Sequence, residues 1–140
     1  MRCLGLDIGD KRIGVAISDP EEILASPLTT IIRDGNDDSV IKAILELVGR
    51  REVQRIVVGL PYSLDGSIGQ QANKVMAFVE MLATYTAVDI ETWDERLSTV
   101  VAEHLLVEAG MKRDKRKLHR DAAAAALILQ GYLDSLKVCD

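Results

Sequence analysis

Carboxylate side chains stand at the predicted ends of separate structural elements in this sequence. Asp7 interrupts the apolar run at residues 4–19, and Asp94 and Glu95 follow a predicted strand. Asp121 lies in the first turn of a predicted helix. With only two histidines and two cysteines in the chain, a zinc or non-haem iron site is not expected. Carboxylates that would repel one another are stable together around a divalent cation, so the pattern predicts a site for Mg2+ or Mn2+.

Each of these acids also has a purely structural interpretation. Asp7 lies near a predicted turn and could pair with Lys11 or Arg12. The two acids after the predicted strand could cap the next helix. Asp121 could favour the dipole of its helix from the first turn. We favour the metal site because three acidic positions recur at element ends where ligand-binding residues collect in α/β sheets.

Two predicted strands and one predicted helix position Asp7 and Asp121. Side chains alternate along a strand, so Leu4 and Leu6 fall on one face while Gly5 and Asp7 fall on the other. A turn at residues 9–11 leads to a second strand that repeats this pattern of large and small residues.

The last helix carries an apolar stripe that is rich in alanine at its start. The stripe comprises Ala122, Ala125, Ala126, Leu129, Leu133 and Leu136. Small residues let a helix approach a sheet closely, and the natural surface for it is the glycine and alanine face around Asp7. We therefore expect this helix to bring Asp121 toward Asp7.

Hydrophobic periodicity and turn residues predict an α/β fold. We expect antiparallel strands first and parallel crossover connections afterwards. A capping pattern from Ser67 to Gln70 predicts the start of the second helix. The predicted strands are at about 3–8, 12–18, 28–32, 55–61 and 88–93, and the helices at about 38–49, 67–83, 98–109 and 118–137.

Length and composition favour one domain spanning residues 1–140. No stretch approaches the roughly 20 apolar residues of a membrane span, and the first residues lack the pattern of a signal peptide. We therefore expect a cytoplasmic protein without a membrane partner. Cys3 and Cys139 are expected to be ordinary reduced thiols.

A local positive charge contrasts with the formal net charge of -5. The decapeptide MKRDKRKLHR, residues 111–120, holds six of the 17 Lys and Arg residues and lies directly before Asp121. We expect a basic loop there. It is either a solvated charge run or a surface that attracts polyanions.

Four segments together resemble the YqgF family of Holliday junction resolvases and pre-ribosomal-RNA nucleases, over nearly the whole chain. The resemblance implies a ribonuclease H-like fold, with a mixed five-stranded sheet and helices on both faces. It also implies that Asp7, the acids of DER and Asp121 are the active-site carboxylates. The four segments are LGLDIGDKRIGVAISD, IVVGLPYSLDGS, DERLS, and HRDAAAAALILQGYLD after the basic loop.

The second metal ligand is where this chain departs from the wider ribonuclease H-like pattern. Related nucleases commonly place an acid at the end of the fourth strand, where this chain has Gly59-Leu60-Pro61. The next acid is Asp65. We therefore rank Glu95 first, Asp94 second and Asp65 third as the second ligand.

The resemblance implies a metal-dependent nuclease for structured nucleic acid. Mg2+ or Mn2+, as one ion or two, would activate water for attack on a phosphate. We rank 5′-end maturation of pre-16S ribosomal RNA first, because nothing in the sequence indicates the obligate dimer of a junction cutter. We expect a monomer or weak homodimer.

Two alternatives are a DNA junction resolvase and a non-catalytic RNA-binding factor of ribosome assembly. Basic residues would contact phosphates in each case. Those expected near the metal are Lys11, Arg12 and Arg96, and those of the basic segment are Lys112, Arg113, Lys115, Arg116 and Lys117.

Overall fold

The computed structural model describes residues 1–61, 69–94 and 113–137. In this part of the chain the strands are Arg2–Ile8 (β1), Arg12–Ser18 (β2), Ala25–Ile32 (β3), Val53–Leu60 (β4) and Asp89–Asp94 (β5), and the helices are Asp37–Arg50 (α1), Gln70–Ala83 (α2) and Arg113–Lys137 (α3).

The strands form one mixed sheet in the order β3-β2-β1-β4-β5. β1, β2 and β3 pair antiparallel, whereas β4 and β5 extend the sheet in parallel from β1. The predicted change from antiparallel hairpins to parallel crossovers is confirmed. The carboxyl ends of β1, β4 and β5 consequently lie at the same edge of the sheet.

Helices α1 and α2 cover one face of the sheet. α1 is capped by Asn36, whose side chain accepts hydrogen bonds from the backbone N–H groups of Asp38 and Ser39. In α2 the buried side chains are Ala72, Val75, Phe78 and Leu82. The buried large side chains of this face come from β1, β2, β4, α1 and α2.

Helix α3 covers the opposite face, as its alanine stripe predicts. Ala125 and Leu129 lie so close to Gly5 that a Cβ there would be 3.0 Å from the Ala125 carbonyl oxygen. The stripe ends earlier than predicted. Leu133 is buried, but Leu136, in the last turn of α3, is 38% exposed.

The start of α3 corrects two predictions. The helix begins at Arg113, so most of the expected basic loop is helical, because Lys, Arg and Leu favour helices and neither Gly nor Pro interrupts residues 111–120. Asp121 therefore lies two turns inside α3. The helix dipole acts mainly within the first turn, so it does not explain an acid at this position.

Several other predictions are adjusted or fall outside the described residues. β3 begins at Ala25, three residues earlier than predicted. The Ser67 cap and the helix predicted at about 98–109 lie outside the described residues. No helix in the described ranges is long and apolar enough to span a bilayer.

Candidate metal centre

Asp7 and Asp121 lie on the same face of the sheet, at neighbouring positions. Asp7 pairs across the hairpin with Gly14 of β2. The backbone of Asp121 packs directly on that glycine, since a Cβ on Gly14 would be 1.9 Å from the Asp121 carbonyl oxygen. Because Gly14 has no side chain, α3 approaches the sheet closely enough to place Asp121 near β1, the strand that carries Asp7.

Arg12 makes a direct ion pair within this centre. Its Nε donates to Oδ2 of Asp121 at 2.6 Å, and the two side chains are 28% and 18% exposed. On the sequence alone, Arg12 is a candidate for phosphate binding or for pairing with Asp7. The structure places its guanidinium against Asp121.

The turn between β1 and β2 is held by backbone contacts. The Gly9 N–H donates to the Arg12 carbonyl oxygen at 2.9 Å. Arg33 bonds the turn twice, from Nη1 to the Gly9 oxygen and from its backbone N–H to the Lys11 oxygen. The Lys11 side chain is exposed. Sequence reasoning missed Arg33, since nothing in its local pattern indicates that it meets a turn over 20 residues away.

The third acidic position is only partly described. Asp94 is the last residue of β5 and pairs with Leu60. Its neighbour Trp93 contacts Tyr132 of α3 edge to face, with ring centroids 6.0 Å apart. Since neighbours in a strand point to opposite faces, the register puts Asp94 on the face away from Asp7. Other predicted site residues lie outside the described ranges: Asp65, Glu95, Arg96 and Lys112.

The donors that the structure brings together fit a hard divalent cation. Mg2+ is commonly bound through one or two carboxylates while it keeps several waters, and Asp7 and Asp121 supply two. No group of three or more His, Cys, Asp or Glu residues suited to a metal occurs among the described residues. Cys3 is fully buried among apolar side chains of the sheet and α3, and burial raises the pKa of its thiol.

Helix α3 is fixed to the sheet well beyond Asp121. Gln130 accepts from the Ala25 N–H at 2.8 Å and donates to the Ile23 carbonyl oxygen. Arg55 of β4 donates to the Tyr132 hydroxyl at 2.7 Å. Burial raises the pKa of Tyr132. The position of α3 along the sheet is therefore set by contacts that do not involve the acids.

Comparison with known proteins gives a consistent assignment. A family model described as "RuvX: Holliday junction resolvase" matches residues 1–135. A protein of Desulforamulus reducens named "Putative pre-16S rRNA nuclease" is 47% identical, with coverage of 96% of this chain and 98% of the relative. A protein of Caldanaerobacter subterraneus with the same name is 50% identical, with coverage of 98% and 99%.

Solved structures support the fold. Thermus thermophilus RuvC in complex with a Holliday junction superposes with a TM-score of 0.61 at 16% identity, covering 98% of this chain and 96% of that one. The yeast mitochondrial Holliday junction resolvase Ydc2 gives 0.54 at 14% identity, with coverage of 98% and 80%. With the mixed sheet, these likenesses confirm the predicted ribonuclease H-like fold.

Proposed function

The chain belongs to the RuvX family, and from this premise we propose that it is a metal-dependent nuclease that hydrolyses phosphodiester bonds in structured nucleic acid. The observation that carries the proposal is the placement of Asp7 and Asp121 on adjoining positions of one sheet face. An acid in the interior of a helix and an acid in a strand lie at neighbouring positions there. Neither the helix dipole nor a turn accounts for both.

The chain's own residues would bind the ion and the phosphate. Asp7 and Asp121 would hold Mg2+ or Mn2+ together with one further acid, for which Glu95 is ranked first. Such an ion supplies charge neutralisation at the phosphate and lowers the pKa of an attacking water. Hydrogen bonds from Gly9 and Arg33 fix the turn at residues 9–11, next to Asp7. Lys11 lies in this turn and is exposed.

The first turns of α3 favour binding of a polyanion. Arg113, Lys115, Arg116 and Lys117 stand where the helix dipole is positive and disfavours cations. A phosphate backbone would offset both the dipole and the clustered charges. In the sequence, Arg113, Lys117 and Asp121 recur at four-residue spacing. The same helix would then carry phosphate contacts toward the metal centre.

We propose precursor 16S ribosomal RNA as the substrate, cut at its 5′ end in the cytoplasm, where ribosomes are assembled. The two relatives above that carry this name are 47% and 50% identical to the chain, whereas the two junction resolvase structures are 16% and 14% identical. A DNA junction resolvase is the second candidate, because the family description names that activity.

Cleavage assays separate these functions. A 5′-labelled fragment of precursor 16S RNA and a synthetic four-way DNA junction are each incubated with the protein, with Mn2+ or with EDTA. We expect cleavage of the RNA near the mature 5′ end with Mn2+ only. Cleavage of the junction alone would identify a resolvase. Binding without cleavage of either substrate would favour the non-catalytic assembly factor, and cleavage in EDTA would contradict the metal centre.

Replacing Lys112, Lys115 and Lys117 with Gln is expected to weaken RNA binding at every sequence tested. Each lost phosphate contact removes a counterion-release contribution of about 0.7–0.9 from the slope of log affinity against log salt, so the slope should flatten by about two to three units. The matched control neutralises Lys42, Arg50 and Arg51, which are exposed at α1 and the residue after it. Unchanged affinity and slope in the first variant would identify the basic segment as a solvated charge run.

A further inference from the structure

We propose that Arg12 is a positioning residue for Asp121, holding one carboxylate oxygen so that the other is presented to the cation. The inference rests on the proposed metal-dependent function and adds a residue to it. Arg12 Nε donates to Oδ2 of Asp121 at 2.6 Å. This hydrogen bond limits the rotation of the Asp121 carboxylate.

The ion pair is suited to this role by its chemistry. A charge-assisted hydrogen bond of this length is strong, and an arginine side chain stays protonated at every pH at which a nuclease works. Both side chains are mostly withdrawn from water, which separates this pair from exposed ion pairs of little consequence. A positive charge at Asp121 also offsets its repulsion by Asp7 before a cation enters.

Both parts of Asp121 are held by the same strand. Its backbone rests on Gly14, and its side chain is bound by Arg12, two residues earlier in β2. Arg12 is itself fixed by the hydrogen bond from Gly9 to its carbonyl oxygen and by pairing with Ile32 of β3. The two residues that hold Asp121, Gly14 and Arg12, therefore belong to a strand of the sheet and not to a loop. Sites built on rigid elements place a metal ligand more precisely than sites on loops.

A purely structural role for the pair is the main alternative. In that case Arg12 would serve to dock α3, and any effect on metal binding would follow from loosening the helix. Gln130 and the contact between Arg55 and Tyr132 already dock α3 farther along. Arg55 thus provides a matched control, because its side chain is 22% exposed and pairs with Asp89 at 3.1 Å.

The test is Mn2+ affinity of the full chain, measured by calorimetry without substrate. Arg12→Gln is expected to weaken binding about 10- to 100-fold, the usual effect of removing a group that orients a metal ligand. Arg12→Lys, which keeps the charge but not the fixed geometry, should recover part of the loss and tests the idea if the Gln variant folds poorly. Arg55→Gln should lower the melting temperature and leave Mn2+ affinity unchanged.

Three results would overturn the inference. Equal Mn2+ affinity of the parent and folded Arg12 variants would show that the guanidinium does not position the ligand. Tighter binding by Arg12→Gln would show that the guanidinium competes with the cation. An equal loss in Arg55→Gln would assign the effect to docking of α3. Absence of Mn2+ binding by the parent protein would instead contradict the proposed function itself.

Discussion

Replacing Asp7 with Asn is expected to lower the cleavage rate by at least about a thousandfold while the protein stays folded. The metal contributes several kcal/mol of transition-state stabilisation, and each 1.36 kcal/mol is tenfold in rate. Asn has nearly the same shape as Asp, and the change removes a negative charge beside Asp121. Stability of the metal-free protein should therefore be equal or higher. Initial rates at saturating Mn2+ and urea denaturation measure the two effects.

Asp94→Asn is the matched control for this experiment. It makes the same chemical change at the same edge of the sheet, but the register of β5 turns residue 94 to the opposite face from Asp7. We expect this variant to cleave at close to the parental rate. Parental activity in Asp7→Asn would make the active-site assignment wrong. Equally severe losses of cleavage rate in the two variants would show that the face of the sheet on which each acid lies does not decide its role.

Replacing Gly14 with Ala is expected to destabilise the protein by about 3 kcal/mol or more. The new Cβ would lie 1.9 Å from the oxygen and 2.2 Å from the carbon of the Asp121 carbonyl, and backbone atoms cannot move aside as a flexible side chain would. Helix α3 must then lift from β2, which carries Asp121 away from Asp7. A displacement of about 1 Å at a catalytic group costs on the order of a hundredfold in rate.

Gly49→Ala provides a control of opposite sign. Gly49 lies near the end of α1, and no atom beyond its local neighbours is within 4 Å of the place that the new methyl group would occupy. Alanine there should stabilise the protein by about 0.5–1 kcal/mol through its better helix propensity. Urea denaturation and cleavage rates are compared for both variants. A Gly14→Ala protein with parental stability and activity would contradict the close approach of α3.

Much of the arrangement around Asp7 is predictable from the sequence. Alternation along a strand assigns Gly5 and Asp7 to one face whatever the rest of the chain does. The small residues Ala122 and Ala125 let the last helix approach a sheet closely, and the face that carries Gly5 is the one with room for it. Both rules are local, and each is confirmed by the packing of α3 on Gly5 and Gly14.

What the sequence did not predict depends on contacts between distant segments or on helix limits. The pair between Arg12 and Asp121 joins residues 109 positions apart, and the bonds from Arg33 to the turn cross between strands. The sequence predicts the start of α3 about five residues too late, because clustered charges are also a common sign of a loop. Lys and Arg have good helix propensity, so the helix includes them and begins at Arg113.

The most direct test of the account is to locate Mn2+ in crystals of the protein by anomalous scattering. A metal site at Asp7 and Asp121 predicts a strong anomalous peak at coordination distance, about 2.1 Å, from carboxylate oxygens of both residues. Calcium-soaked crystals, collected at the same wavelength, identify peaks that are not due to manganese. A manganese peak bound by other acids, with none between Asp7 and Asp121 at saturating Mn2+, would contradict it.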